Sequence, residues 1–169
     1  MYDELLDVVS DADEVIRQEP RSVVYTHKLN FRAVNGFLIN SSNQLWIPRR
    51  HPSKKLFPLS LDCSVAGHVS AGEDYDTALI REAAEELNID LTTLPFKRIA
   101  RLTPPEHGTS AFMWVYLIHQ DETPDYNRDD FVDYAWVTPA ELLERLSKGE
   151  AAKSDLLPIV KHVFTAKGI

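Results

Sequence analysis

Apolar and polar positions alternate in short runs along the first half of the chain and switch to a helical period near its middle. Residues 31–39, Phe-Arg-Ala-Val-Asn-Gly-Phe-Leu-Ile, read as a strand. The polar cluster Asn40-Ser-Ser-Asn43 reads as a turn, and Gln44 to Pro48 as a returning strand, so 31–47 is expected to be a hairpin. Residues 61–66 predict a further strand that ends at Gly67. From Asp74 the period changes: Leu79, Ala83 and Leu87 recur every four residues. That stripe predicts a helix over 74–87, capped by Asp74 and stopped by Asn88, which tolerates a left-handed backbone. Strands are expected again at 96–102, 111–118 and 133–137. Thr138-Pro-Ala-Glu141 is a capping box with proline at the first helical position, which predicts a helix over 139–147. A last amphipathic stretch, 155–165, predicts a third helix with Pro158 in its first turn. Ahead of these elements, residues 1–30 read as an arm or short hairpin, with Asp11-Ala-Asp-Glu14 as its turn. Strands around two or three helices indicate an α/β or α+β fold, a helix–sheet–helix sandwich.

The length of 169 residues suits one domain. No window approaches the roughly 20 apolar residues that cross a bilayer, and with the acidic opening Met1-Tyr-Asp-Glu4 no secretory leader is expected. No membrane partner is expected. With 18 basic and 26 acidic side chains the net charge is −8, which argues against a long nucleic acid as partner. Small phosphorylated substrates remain open, above all if a divalent cation offsets some of the charge. One cysteine, Cys63, excludes an internal disulfide and a cysteine-built zinc site, and a cytoplasmic location is expected. Nothing in the sequence fixes the oligomeric state.

The chemistry concentrates on the predicted central helix. Arg81-Glu-Ala-Ala-Glu-Glu86 places Glu82, Glu85 and Glu86 within a sector of roughly 100°, centred about 120° from the apolar stripe. Three like charges on one stripe repel one another, and a hard divalent cation with oxygen ligands relieves that repulsion. Alone, such a stripe is more often a solvated face. The segment before it changes the balance: Gly67-His-Val-Ser-Ala-Gly-Glu73 is a glycine-bearing loop that ends in a glutamate.

Taken together, Gly67, Glu73, Arg81, Glu82, Glu85, Glu86 and Ile89 stand at the spacing of the Nudix box, and residues 67–89 resemble that motif of the Nudix hydrolase family. Asn88 departs from it, standing where the family usually has glycine. The resemblance implies a Nudix-type sandwich with a mixed central sheet over 31–169. It implies hydrolysis of the diphosphate bond of a nucleoside diphosphate or its derivative, with Mg²⁺ or Mn²⁺ as cofactor. Glu82, Glu85, Glu86 and the Gly67 carbonyl would then meet metal, with Glu82 the position tied to activating water. Arg81 and Glu73 would pair and fix the loop against the helix.

A second likeness covers Trp46-Ile-Pro-Arg-Arg-His-Pro-Ser-Lys-Lys-Leu-Phe-Pro58. It resembles the branch that contains isopentenyl-diphosphate isomerase and its hydrolase relatives. By that likeness Arg50 and Lys54 meet a diphosphate, with Arg49 and Lys55 beside them. The isomerase needs a cysteine immediately before the box glycine, and Ala66 stands there; Cys63 lies three residues earlier and reads as a small core residue. Val24 and Phe31 occupy its approximate histidine positions, and Phe112 to Tyr116 carries no carboxylate; His68 does match. The hydrolase is therefore favoured, with a catalytically silent nucleotide-binding protein and the isomerase as alternatives. Asp129, Asp130 and Asp133 are either a solvated loop or part of the metal site. His107 is read as an exposed loop histidine that borders the substrate only if its loop reaches the cleft.

Overall fold

Successive side chains of the central strands point to opposite faces of the sheet, and both faces are covered. A computed structural model describes residues 2–165; residues 166–169 of the expected 31–169 span lie outside the described residues. A hairpin of β1 (Leu5–Val9) and β2 (Val15–Pro20) is followed by α1 (Arg21–Thr26). Strands β3 (Arg32–Ile39), β4 (Leu45–Arg50) and β5 (Val65–His68) precede the main helix α2 (Tyr75–Leu87). Then come β6 (Phe96–Leu102), the one-turn helix α3 (Pro104–His107), β7 (Phe112–His119) and β8 (Phe131–Val137). Helices α4 (Pro139–Ser147) and α5 (Leu156–Val160) follow, and α5 runs into a π-helical turn, Lys161–Thr165.

The main sheet runs β6-β7-β3-β4-β8, with β5 also on β3. It is mixed: β3 and β7 are parallel, and the other pairs are antiparallel. On one face Val34, Leu38, Trp46, Tyr116 and Ile118 pack against Leu79, Ala83 and Leu87 of α2. On the other, Phe37, Ile39, Ile47, Met113, Val115 and Leu117 pack with Leu142 and Leu146 of α4 and Ile159 and Val160 of α5. This is the helix–sheet–helix sandwich, produced by period-2 strands between period-3.6 helices.

Both long helices form where their local signals stand. The Asp74 side chain accepts from the Thr77 backbone N–H at 2.7 Å, and Asn88 closes α2 in the left-handed region at φ 53°. Thr138 and Glu141 make the reciprocal capping box of α4.

Four expectations change. The strand expected at 61–66 is Val65–His68, so Gly67 lies within β5 rather than in a loop after it. Leu61 to Ser64 are buried, but they serve other contacts: Leu61 bridges Arg49 and Ala152, and Asp62 accepts its neighbour's N–H from Cys63 at 2.8 Å. The hairpin expected at 31–47 is a fork, since β3 and β4 share only the Ile39–Leu45 register and β5 takes the same edge of β3 from Ala33 to Gly36. Ser64 bridges the fork, donating to the Trp46 carbonyl at 2.5 Å and accepting from the Leu38 N–H at 2.9 Å. The helix expected over 155–165 changes to π geometry after Val160. Finally, α1 lies inside the segment expected to be an arm, and the hairpin before it places Leu6 and Val8 in the main core.

Candidate active site

The fork in the sheet leaves a cleft of about 640 Å³ between α2, β5 and the loop after β4. Glu82, Glu85 and Glu86 line it from α2, with Ala66, Gly67 and His68 from β5. Gly67 is required by space: a Cβ there would stand 2.1 Å from the Glu82 carboxyl carbon. The missing side chain lets Glu82 lie directly on the strand.

The loop before α2 is tied down by one arginine. Arg81 grips Glu73 with two bonds, Nε to Oε1 at 2.7 Å and an NH2 donor to Oε2 at 2.9 Å, and reaches the His68 carbonyl at 3.0 Å. Its remaining donors meet Glu82 at 2.7 Å and Glu85 at 3.5 Å. The bond from Arg81 holds Glu73 below the ordinary carboxylate range. Glu82 behaves differently: burial pushes it up to about 7 against the pull of Arg81. Glu86 is pushed well above the ordinary range by burial first and then by Glu82. Among the described residues its carboxylate accepts one hydrogen bond, from the Ala66 N–H at 3.1 Å.

This donor set fits a hard divalent cation. Two desolvated carboxylates stand one helical turn apart with lone pairs left over, and oxygen donors suit Mg²⁺ or Mn²⁺. Among the described residues no three ligating groups converge as a closed cage. Glu82 leans on Arg81, and the Glu85 side chain stays 60% exposed at the rim.

The basic residues divide. Arg50, Lys54 and Lys55 line the cleft; Arg49 does not. Alternation along β4 turns Arg49 to the opposite side, where it meets Asp133, Glu150 and the Leu59 carbonyl. Arg50 is largely consumed as a clamp. It donates to the Leu56 and Phe57 carbonyls at 3.0–3.2 Å and pairs with Asp62 at 2.8 Å. The clamped loop carries Phe57 at φ 52° and Leu59 at φ 57°, left-handed conformations that bulky residues hold only when neighbours impose them.

Of the acidic loop, Asp130 reaches the cleft and pairs with Lys54, Asp133 pairs with Arg49, and Asp129 stays exposed. His107 ends α3 away from the cleft, in a separate hollow beside His162, their rings 4.6 Å apart. Cys63 lies in the core, its thiol pushed up by burial, and does not line the cleft.

Sequence reasoning missed Glu4, Arg21, Asn127 and Lys153, all of which line the cleft. Glu4 accepts from Ser70 at 2.8 Å and faces His68 at 3.3 Å, and the Tyr25 hydroxyl bonds the far nitrogen of His68 at 2.7 Å. No local pattern announces these contacts, because each joins segments far apart in the chain.

The model of the NUDIX domain matches residues 29–158. The chain belongs to the Nudix family. A Nudix hydrolase of Nostoc sp. is 51% identical over 162 residues, covering 95% of this chain and 96% of that one. A crystal structure of a protein from Deinococcus radiodurans superposes with a TM-score of 0.88 at 44% identity, covering 95% of this chain and 99% of that one. The enzyme is therefore a Nudix pyrophosphohydrolase. The isopentenyl-diphosphate isomerase of Paenarthrobacter aurescens is more distant, at 28% identity over 159 residues, 91% of this chain and 86% of that one. The Nudix fold and the branch that the Trp46–Pro58 segment resembles are thus both present in this chain.

Proposed function

We propose that this Nudix enzyme cleaves the diphosphate bond of a nucleoside diphosphate or nucleoside diphosphate derivative by attack of water at phosphorus, in the cytoplasm and with Mg²⁺ or Mn²⁺. The observation that carries the reading is the pair Glu82 and Glu86, desolvated side by side on the cleft wall below a basic loop. A bound divalent cation supplies charge neutralisation at phosphate and lowers the pKa of its water. The chain's own part is positional. Gly67 lets Glu82 lie flat on β5, and the Ala66 N–H fixes one oxygen of Glu86. Arg81 locks the loop through Glu73, so these groups need little rearrangement when substrate enters. Glu82, held on the cleft wall beside Gly67, is placed to take the proton from the attacking water.

Ala66 at the position before Gly67 and the core burial of Cys63 speak against the isomerase alternative, which needs an acid or base at carbon there. The intact acidic positions Glu82, Glu85 and Glu86 favour the enzyme over a catalytically silent nucleotide-binding protein, and turnover separates the two. Release of nucleoside monophosphate from a panel of nucleoside diphosphates and nucleoside diphosphate derivatives with Mg²⁺, with and without chelator, tests the reading. Release abolished by chelator is expected. Glu82→Gln and Glu86→Gln should each lower turnover by about a hundredfold or more. No release from any member of the panel, or wild-type rates in both variants, overturns it.

A further inference from the structure

Three cations of the cleft already have anionic partners, and Arg21 and Lys55 stand exposed to solvent. Arg81 is held by Glu73 and Glu82, Arg50 by Asp62 and two carbonyls, and Lys54 by Asp130. Lys153 differs. Its backbone N–H donates to the Leu61 carbonyl at 2.9 Å, and the Leu61 N–H donates to the Ala151 carbonyl at 2.9 Å. This short parallel bridge pins Lys153 beside Asp62 on the cleft wall. Its Nζ nevertheless stands 3.9 Å from Asp62 Oδ2, beyond hydrogen-bond reach. Asp62 is already satisfied, with Arg50 on Oδ2 at 2.8 Å and the Cys63 N–H on Oδ1 at 2.8 Å.

Among the described residues, then, no acceptor stands within hydrogen-bond distance of the Lys153 ammonium, and its side chain is only 27% exposed. Burial pulls its pKa down, but Asp62 and the other nearby anions outweigh that and keep it charged. Asp62 offsets the charge without taking a hydrogen bond from it, so the three donors stay available to an anion that enters the cleft. Lysine is apt here, since a compact charge on a flexible stem can shift among equivalent phosphate oxygens.

We propose that Lys153 binds the substrate's phosphates: its ammonium donates to non-bridging oxygens of the diphosphate, from the wall formed by residues 61–62 and the end of β4. This rests on the hydrolase reading above and adds to it a phosphate-binding residue that lies outside the box and the basic loop.

The test compares Lys153→Met, which keeps the apolar stem, with Lys153→Arg, which keeps the charge. Substrate turnover is followed with ADP and Mg²⁺, and binding by calorimetry with methylene diphosphonate, which cannot be hydrolysed at its bridge. Loss of a charge-assisted hydrogen bond predicts that Lys153→Met raises both the KM and the diphosphonate Kd by about tenfold to a hundredfold. The fall in kcat should be much smaller, the melting temperature should stay near wild type, and Lys153→Arg should recover most of the affinity. If Lys153→Met does not fold, Lys153→Gln makes the same comparison. A folded charge-less variant with wild-type diphosphonate Kd overturns the assignment, as does a wild-type protein that does not bind the diphosphonate. Diphosphonate binding that depends on Lys153, in a protein that hydrolyses neither nucleoside diphosphates nor their derivatives, would instead sink the reading proposed above and leave the phosphate site standing.

Discussion

At the scale of single residues, the site depends on side chains that are absent as much as on those present. Gly67 has ordinary extended backbone, and its role is to leave room for Glu82. In Gly67→Ala the new methyl group would overlap the Glu82 carboxyl, and one of the two must move. The expected result is a loss of turnover of about a hundredfold from a displacement on the order of 1 Å, with stability lowered by about 1–3 kcal/mol. Steady-state kinetics beside a melting curve check it; an unaltered kcat would mean that Glu82 need not lie against the strand. The glycine was legible in the sequence through its spacing to the glutamates, but its reason was not. A loop glycine and a strand glycine look alike in one dimension, and only the position of α2 over β5 tells them apart. Arg49 and Arg50 show the same limit. Two adjacent arginines carry one signal in sequence, and the pleat sends them to opposite sides of β4.

At the scale of elements, legibility followed the range of the stabilising contacts. The capping signals of α2 and α4 lie within four residues of each helix end, and both helices occur where those signals stand. The course of 61–66 was misread because its apolar alternation reports burial, while the partners that decide strand or loop, Ala152 and Arg49, are distant in sequence. Beyond α4, Glu150 ties that helix back to β4. It accepts from Arg145 at 2.6 and 2.7 Å and from Arg49 at 3.2 Å. These bonds, Arg145 first, hold the Glu150 carboxyl below its ordinary range. A depressed folded-state pKa gives stability that is complete above the unfolded value and disappears as pH falls through the folded one. Glu150→Gln should therefore lower the melting temperature at pH 7 by a few degrees, for about 1 kcal/mol in a domain of this size. The gap between wild type and variant should close on acidification below the carboxylate range. A gap that persists in acid would assign the effect to packing instead.

At the scale of the whole molecule, the N-terminal hairpin is continuous with the core it covers. Leu6 is fully buried in the main apolar cluster, and the Ala71 N–H donates to the Leu5 carbonyl at 2.9 Å, joining the hairpin to the loop that precedes α2. Leu6→Ala should cost about 2–5 kcal/mol, read as a drop in melting temperature shared by near- and far-ultraviolet signals in one transition. Two separate transitions would show that the hairpin unfolds on its own. The fork at Ser64 has a wider consequence. β3 is the spine of two leaves: one carries Gly67 under the glutamates of α2, and the other carries Arg50 and the loop that follows it. On the proposed reading, chemistry and recognition are thus written on separate pages bound along one edge. On that reading, lengthening or recomposing residues 51–60 should change which diphosphates are admitted while the acidic wall keeps its geometry, so descendants of this chain could exchange one substrate for another without having to reinvent how the bond is broken.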